Sequence, residues 1–201
     1  MNVRLEYTMP FMAGVYWEGQ MLMNRYNIKL YMITNSSDAN VQNIAYERLK
    51  YFVYNEMSST IFVNQEHEEQ CRALIAAGLK ITTLPAEPVD QLLGIMLYCK
   101  LNAVMEENII ISEIEISSEL GESMCYLHAA DESLGPFDQP GWWHDADLIH
   151  CELSLIDNDK VVAMHRTGAW RELDLAWPGH DSSESNNNTV VFADFAKDET
   201  K

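Results

Sequence analysis

The segment between Lys100 and Lys160 contains no lysine or arginine, although it carries fourteen aspartate and glutamate residues. Over the whole chain, 13 basic residues oppose 31 acidic ones, and the formal net charge is −18. Residues 101–201 hold 5 of the basic and 21 of the acidic residues, so the excess lies in the second half. Such a negative field repels nucleic acids and anionic membranes, and it attracts basic proteins and divalent cations.

The chain also lacks an apolar run near the length of a membrane span, and residues 1–6 lack the basic and apolar regions of a signal peptide. We therefore expect a cytoplasmic protein without membrane contacts. The cysteines form no Cys-x-x-Cys pair, and each lies in a stretch with the composition of a buried segment. In a reducing compartment they are interpreted as small apolar core residues: Cys71, Cys99, Cys125 and Cys151.

Three common motifs of catalytic and nucleotide-binding proteins are missing. The nine glycines form no Gly-x-Gly, and the chain contains neither Gly-x-x-x-x-Gly-Lys nor Gly-x-Ser-x-Gly. These absences exclude a dinucleotide fingerprint, a P-loop and a nucleophile elbow. The basic residues are too few and too scattered to line a nucleic-acid groove. The sequence therefore favours a non-enzymatic protein, and no residue pattern indicates a known family.

What is present predicts an α+β fold. Strands are expected within the first forty residues, and the strand at 26–34 ends at a helix-capping cluster. Apolar residues at three- and four-residue spacing then predict a helix near 41–53, with Glu47, Arg48 and Lys50 on its other side. Two more helices and two short strands follow, with predicted bounds 60–63 (strand), 66–77 (helix), 79–84 (strand) and 88–107 (helix).

The third helix is apolar around most of its circumference, which indicates burial on more than one side. Mainly antiparallel strands are expected after it. The strand at 109–118 should place Ile110, Ile114 and Ile116 on one side, and residues 124–129 are predicted to return as a hairpin partner. A three-stranded meander completes the predicted fold, with strands at 148–156, 161–166 and 170–177.

The chain divides into one predicted domain and two short C-terminal segments. Residues 1–177 form the α+β domain. The serine- and asparagine-rich residues 178–189 have the composition of a linker. The apolar segment within 190–201 is interpreted as a tail or as an edge strand that returns to the domain.

The leading functional hypothesis is an interaction protein that presents an acidic face, built from residues 106–159, to a basic protein. A DNA mimic that inhibits a nucleic-acid-processing host enzyme, of the kind that phages encode, has such a surface, and would act in the host cytoplasm. No cofactor is required. The predicted partner-binding residues are Glu106, Glu107, Glu113, Glu115, Glu119, Glu122, Asp131, Glu132, Asp145, Asp147, Asp157 and Asp159.

A second hypothesis is a metal-dependent hydrolase. Two imidazoles and two carboxylates lie within seven residues, and such groups hold a divalent metal that activates water. On a regular strand the histidines and aspartates would face opposite sides, so a metal site requires irregular chain here. The alternative interpretation is a surface loop anchored by two tryptophans. The candidate ligands are His144, Asp145, Asp147 and His150.

A third hypothesis is a homo-oligomeric assembly subunit. Tyr46, Tyr51 and Tyr54 recur along the first predicted helix. They are consistent with an exposed aromatic strip that packs against a second copy, together with the tryptophan loop and the C-terminal segment, and also with core packing.

Overall fold

The computed structural model describes residues 4–148, 150 and 169–178. Its elements, in chain order, are β1 (Arg4–Trp17), β2 (Gln20–Thr34), α1 (Ala39–Tyr51), a π-helical turn (Phe52–Met57), β3 (Ile61–Asn64), α2 (Glu68–Ala76), β4 (Ile81–Leu84), α3 (Asp90–Met105), β5 (Ile109–Ser118), β6 (Tyr126–Ala129) and two 3₁₀ turns (Gly135–Asp138 and Trp142–His144). The predicted α+β class, with three helices and alternating β/α order in the N-terminal part, is confirmed.

Six strands form one sheet in the order β4-β3-β1-β2-β5-β6. β1 and β2 pair antiparallel along their length and are joined by Glu18 and Gly19, which both have positive φ (47° and 79°). Such two-residue turns match the twist of the strands that they connect. On one side β3 and β4 run parallel to β1, and on the other side β5 and β6 continue the antiparallel pairing.

The helix α1 begins as predicted, but one of its charged residues is buried. Asp38 caps the helix, because its carboxylate accepts hydrogen bonds from the backbone N–H groups of Asn40 (2.8 Å) and Val41 (3.4 Å). Arg48 was expected on the exposed side, yet only 3% of it is accessible. Its guanidinium lies 3.9 Å from the ring centre of Trp177 and 4.9 Å from that of Trp170. Stacking on aromatic faces makes this burial possible.

The helix α3 is enclosed on two sides, as its apolar circumference predicts. It packs on β5 and α1, and the loop that contains Trp142 and Trp143 covers it from the other side. The ammonium group of the fully buried Lys100 donates to the backbone carbonyls of Trp142 (2.9 Å), Asp145 (2.8 Å) and Asp147 (2.6 Å). Burial lowers the pKa of Lys100 to about 8. These three bonds hold the loop against the helix.

The strand β5 has the predicted bounds, but the prediction of which of its side chains face inward is partly wrong. Ile110 is 37% exposed, whereas Ile109 and Ile111 are buried together with Ile114 and Ile116. A bulge lies opposite Tyr31 and Met32 and inserts Ser112 into the pairing. The extra residue reverses the alternation of side chains, so Ile110 faces outward.

Other predictions fall on residues that the structure describes only in part. Of the predicted meander, residues 170–174 form turns, and most of the rest lies outside the described residues. The linker 178–189, the segment 190–201 and Cys151 also lie outside them, so the domain division stays a prediction. Cys71 and Cys99 are buried, but Cys125 is exposed at the start of β6, where it was expected in the core. No helix in the described part of the chain is long and apolar enough to cross a membrane.

Replacing Lys100 should destabilise the fold strongly. In Lys100→Met the three carbonyls lose their buried donor, which costs about 3 kcal/mol or more of unfolding free energy. Urea unfolding, followed by tryptophan fluorescence, measures this loss. Lys29→Met is the matched control, because its ammonium pairs with Glu6 on a partly exposed surface, where an ion pair adds little to stability. Equal losses in the two variants would contradict the anchoring role of Lys100.

Candidate functional site

The four predicted metal ligands do not come together. The Nε2 atom of His144 lies 2.7 Å from the carbonyl oxygen of Phe137. Asp145 and Asp147 direct their carbonyls to Lys100 and have exposed side chains. Among the described residues, which include all four candidates, no three His, Cys, Asp or Glu side chains are placed to hold a metal ion. The described residues thus give the predicted metal site no geometric support, and it stays a prediction.

His150 belongs instead to a closed polar cluster beside β4. Its Nε2 lies 3.3 Å from Glu56, which also accepts a hydrogen bond from Lys80 (2.6 Å), and its Nδ1 lies 3.0 Å from the carbonyl of Ile81. Burial alone would raise the pKa of Glu56, but the hydrogen bonds from His150 and Lys80 outweigh it and hold the pKa below its ordinary value. Only 5% of Glu56 and 7% of His150 are accessible, so the cluster anchors the segment at His150 to the sheet.

The predicted acidic face is spread over five places in the fold. Basic residues of the N-terminal half pair with part of it: Arg48 lies 2.8 Å from Glu106, and Arg25 lies 3.9 Å from Glu119. Binding of a basic partner stays an untested prediction. The described acidic residues lie at the end of α3 (Glu106, Glu107), on β5 (Glu113, Glu115), in the β5–β6 turn (Glu119, Glu122), after β6 (Asp131, Glu132) and in the loop beside Lys100 (Asp145, Asp147), whereas Asp157 and Asp159 lie outside the described residues.

A cavity of about 380 Å³ lies where three elements meet: the turn end of the β1–β2 hairpin, the start of α3 and the β5–β6 turn. Its wall is mainly apolar and aromatic, and it contains one carboxylate, that of Asp90. We name it the Asp90 cavity. It is lined by Val15, Trp17, Leu22, Asn24, Tyr26, Pro88, Val89, Asp90, Leu120, Gly121 and Tyr126.

The carboxylate of Asp90 is half-buried at the first turn of α3. Its Oδ2 accepts a hydrogen bond of 2.6 Å from the hydroxyl of Ser118, the last residue of β5. Burial raises the pKa of Asp90, and the hydrogen bond from Ser118 opposes this shift only in part. The raised pKa means that the ionised carboxylate is poorly solvated here. Such a group gains from a positively charged or hydrogen-bond-donating ligand.

The β5–β6 turn holds its backbone directly against this carboxylate. The N–H of Leu120 donates to Asn24 (3.1 Å), and the N–H of Gly121 donates to Ser118 (3.1 Å). A Cβ atom on Gly121 would lie 2.6 Å from Oδ2 of Asp90 and 3.2 Å from the hydroxyl of Ser118. A larger residue at this position would have to displace the Asp90 carboxylate, so the glycine permits the close approach that forms this wall of the cavity.

Sequence reasoning missed Asp90, although a signal was present. Asp90 and Lys100 are the two charged residues of α3, which is otherwise almost entirely apolar. Lys100 is accounted for by its three carbonyl partners. Asp90 remains as a carboxylate at the start of a helix whose other residues are largely buried, and such a position indicates a candidate site.

Comparisons with known proteins find solved structures of low similarity. No family model and no curated protein matches the chain. A catalytic-residue mutant of Plasmodium vivax 6-pyruvoyltetrahydropterin synthase is 10% identical, covers 64% of this chain and 97% of its own, and has a TM-score of 0.41. The synthase of Plasmodium falciparum is 13% identical, with coverage of 63% and 96% and the same TM-score of 0.41. No residue role or activity is transferred from these matches.

The leading functional hypothesis from the sequence is wrong. It described a non-enzymatic acidic inhibitor of the phage type, whereas the two solved structures above are enzymes, and neither is an inhibitor or a phage protein. The pairing of Arg48 with Glu106 and of Arg25 with Glu119 also reduces the acidic surface on which that hypothesis depended.

Enlarging Gly121 should disrupt the wall of the Asp90 cavity. In Gly121→Ala the new methyl group meets the Asp90–Ser118 pair, and we expect a loss of about 1–3 kcal/mol in unfolding free energy. Asp90→Ala removes the colliding atoms, so the double variant should lose clearly less than the sum of the two single losses in a double-mutant cycle. Additive losses would show that Gly121 does not pack on Asp90.

The raised pKa of Asp90 predicts a pH-dependent cost to stability. The folded state binds the proton of the Asp90 carboxyl group more tightly than the unfolded chain does. The contribution of Asp90 to the unfolding free energy therefore falls as the pH rises from about 4 through the folded-state pKa. Asp90→Asn removes that fall, so the variant should gain stability over the native protein at neutral pH, and the gain should vanish at acidic pH. Urea midpoints across pH measure it, with exposed Asp131→Asn as the control. A gain that does not change with pH would contradict the shift.

Proposed function

We propose that this protein binds a small organic amine in the Asp90 cavity, with the ammonium group of the ligand paired to Asp90. The observation that carries the proposal is the half-buried carboxylate with a raised pKa in a mainly apolar wall. No lysine, arginine or histidine is among the described residues that line this cavity. A cationic ligand would supply the missing positive charge, and its binding would favour the ionised form of Asp90.

The shape and composition of the cavity support an organic ligand rather than a bare ion. Its volume of about 380 Å³ lies within the range of small-molecule sites. Trp17, Tyr26 and Tyr126 contribute aromatic surface, against which the apolar body of an amine would pack and its charge would be stabilised. One carboxylate in such a wall fixes the orientation of the ligand.

The charge of the whole chain supports the same ligand class. A net charge of −18 raises the local concentration of cations and repels anionic compounds. We place this activity in the cytoplasm as part of the proposal, and the burial of Cys71 and Cys99 as small core residues is consistent with a reducing compartment.

A series of matched compounds tests the proposal. In NMR titrations, phenethylamine should bind saturably, and phenethyl alcohol, which has the same shape without the charge, should bind about tenfold more weakly because a charge-assisted hydrogen bond is lost. Phenylpropionate, an anion, should not bind. Asp90→Asn should reduce the affinity for phenethylamine to that for the alcohol.

Asp131→Asn is the control variant, since it removes an exposed carboxylate after β6 and leaves the cavity intact. It should bind phenethylamine as the native protein does. Equal affinity of native protein and Asp90→Asn for phenethylamine, or binding of phenylpropionate as tight as that of the amine, would overturn the proposal.

A further inference from the structure

The hydroxyl group of Ser118 is held in one direction by its two hydrogen bonds. It accepts a hydrogen bond from the backbone N–H of Gly121 (3.1 Å). It lies 2.6 Å from Oδ2 of Asp90, and an ionised carboxylate has no proton to give, so the hydroxyl is the donor in this bond. Ser118 is 3% exposed and pairs with Tyr26 in the sheet. One oxygen of Asp90 is therefore engaged by the protein itself.

Gly121 crowds the same oxygen from a second direction. A Cβ atom on this residue would lie 2.6 Å from Oδ2 of Asp90, so the hydrogen that glycine carries in that direction faces this oxygen. The turn is held in place, because the N–H of Leu120 donates to the side chain of Asn24 (3.1 Å). Oδ2 is thus contacted by a hydroxyl group and by the glycine, and it offers little room to a donor from a ligand.

The other carboxylate oxygen of Asp90, Oδ1, has no such contact. It makes no hydrogen bond or ion pair with any residue that the structure describes. The buried side-chain nitrogen and oxygen atoms that lack a partner within this part of the chain belong to His67, His128 and Trp177. Oδ1 is not one of them, so it keeps accessible surface, and Asp90 lines the cavity. The carboxylate therefore presents one oxygen to a ligand rather than two.

The number of available oxygens distinguishes two classes of organic cation. A guanidinium or amidinium group is planar and binds a carboxylate best through two parallel N–H bonds, one to each oxygen. An ammonium group is a compact charge that forms a strong hydrogen bond with a single acceptor. Where only Oδ1 accepts, a guanidinium group keeps N–H donors without an acceptor beside a mainly apolar wall, and unsatisfied donors reduce affinity.

We propose that the Asp90 cavity selects amines over guanidines and amidines, and that Ser118 determines this specificity. The inference rests on the proposed function and adds the class of cation and the residue that selects it. Ser118 and Gly121 occupy Oδ2, and the ammonium group of the ligand donates its hydrogen bond to Oδ1. Ser118 is a positioning residue, since it acts on the ligand through the carboxylate of Asp90.

Three cations with the same phenethyl body test the selection. In calorimetric titrations of the native protein at neutral pH, phenethylamine should bind at least about tenfold more tightly than phenethylguanidine, because the second N–H of the guanidinium fork finds no acceptor. N,N-dimethylphenethylamine has an enlarged head group with one N–H donor, and it should bind within about threefold of phenethylamine. This compound separates the geometry of the donors from the size of the head group. Binding of phenethylguanidine as tight as that of phenethylamine would overturn the inference.

Ser118→Ala makes Oδ2 available by removing its hydroxyl partner. The preference for phenethylamine over phenethylguanidine should then fall to about threefold or less. The ratio of the two affinities is the decisive quantity, since a general distortion of the cavity would weaken both ligands alike. Ser117→Ala is the control, because the side chain of this neighbouring serine points to the opposite face of β5, and it should keep the native preference. A full tenfold preference in Ser118→Ala would refute the role of Ser118.

Asp90→Asn separates the failure of this inference from that of the proposed function. If phenethylamine binds and loses affinity in Asp90→Asn, but phenethylguanidine binds the native protein equally well, the selection is refuted and the cation site stands. If neither cation binds the native protein, the proposed function fails, and the selection fails with it. A tenfold preference for the amine that persists in Asp90→Asn would also overturn the inference, because the selection would then arise elsewhere.

Discussion

The three hydrogen bonds from the buried ammonium group of Lys100 are the interaction on which much of this structure depends. They connect α3 to a loop that has little regular structure of its own. A helix that is apolar on most sides needs a cover on each of them, and the sheet supplies only one. Trp142 and Trp143 supply the other, and the indole N–H of Trp142 also donates to Thr83 beyond the helix (3.0 Å). A charged residue thus organises the most apolar part of the protein.

The placement of α3 in turn determines the geometry of the Asp90 cavity. The helix lies close to the sheet at Gly94, where an added Cβ atom would lie 2.8 Å from the side chain of Ile116. The first turn of the helix, with Asp90, then lies against the end of β5. Farther along the helix, the short strand β6 holds His128 over Tyr98. The carboxylate and the imidazole are consequently held by regular elements, α3 and β6.

The sequence predicts the local structure well and the side-chain partners poorly. Alternation and capping signals located the β2 end, the start of α1 and the bounds of β5, because these depend on neighbouring residues. The bulge at Ser112 was not predictable, since three consecutive isoleucines fit either alternation. The burial of Arg48 depends on Trp170 and Trp177, more than a hundred residues away. Composition alone does not predict contacts between residues that are so far apart in the chain.

The same distinction explains why the site itself was missed. The richest cluster of potential ligands, around His144, is dispersed by contacts of its backbone with Lys100. The site with a perturbed carboxylate consists of one acidic residue on a helix and of aromatic residues from distant strands. The excess of negative charge lies in residues 101–201, whereas Asp90 lies in the first hundred residues. Burial has the largest effect on the pKa of Asp90, and the sequence indicates burial only indirectly.

The central claim is that Asp90 is the anchor for an ammonium group. A crystal structure of the protein with bound phenethylamine tests it most directly. The account predicts the nitrogen of the ligand within hydrogen-bond distance of the Asp90 carboxylate. Density for the ligand at a different place, with Asp90 contacting Ser118 alone, would contradict it.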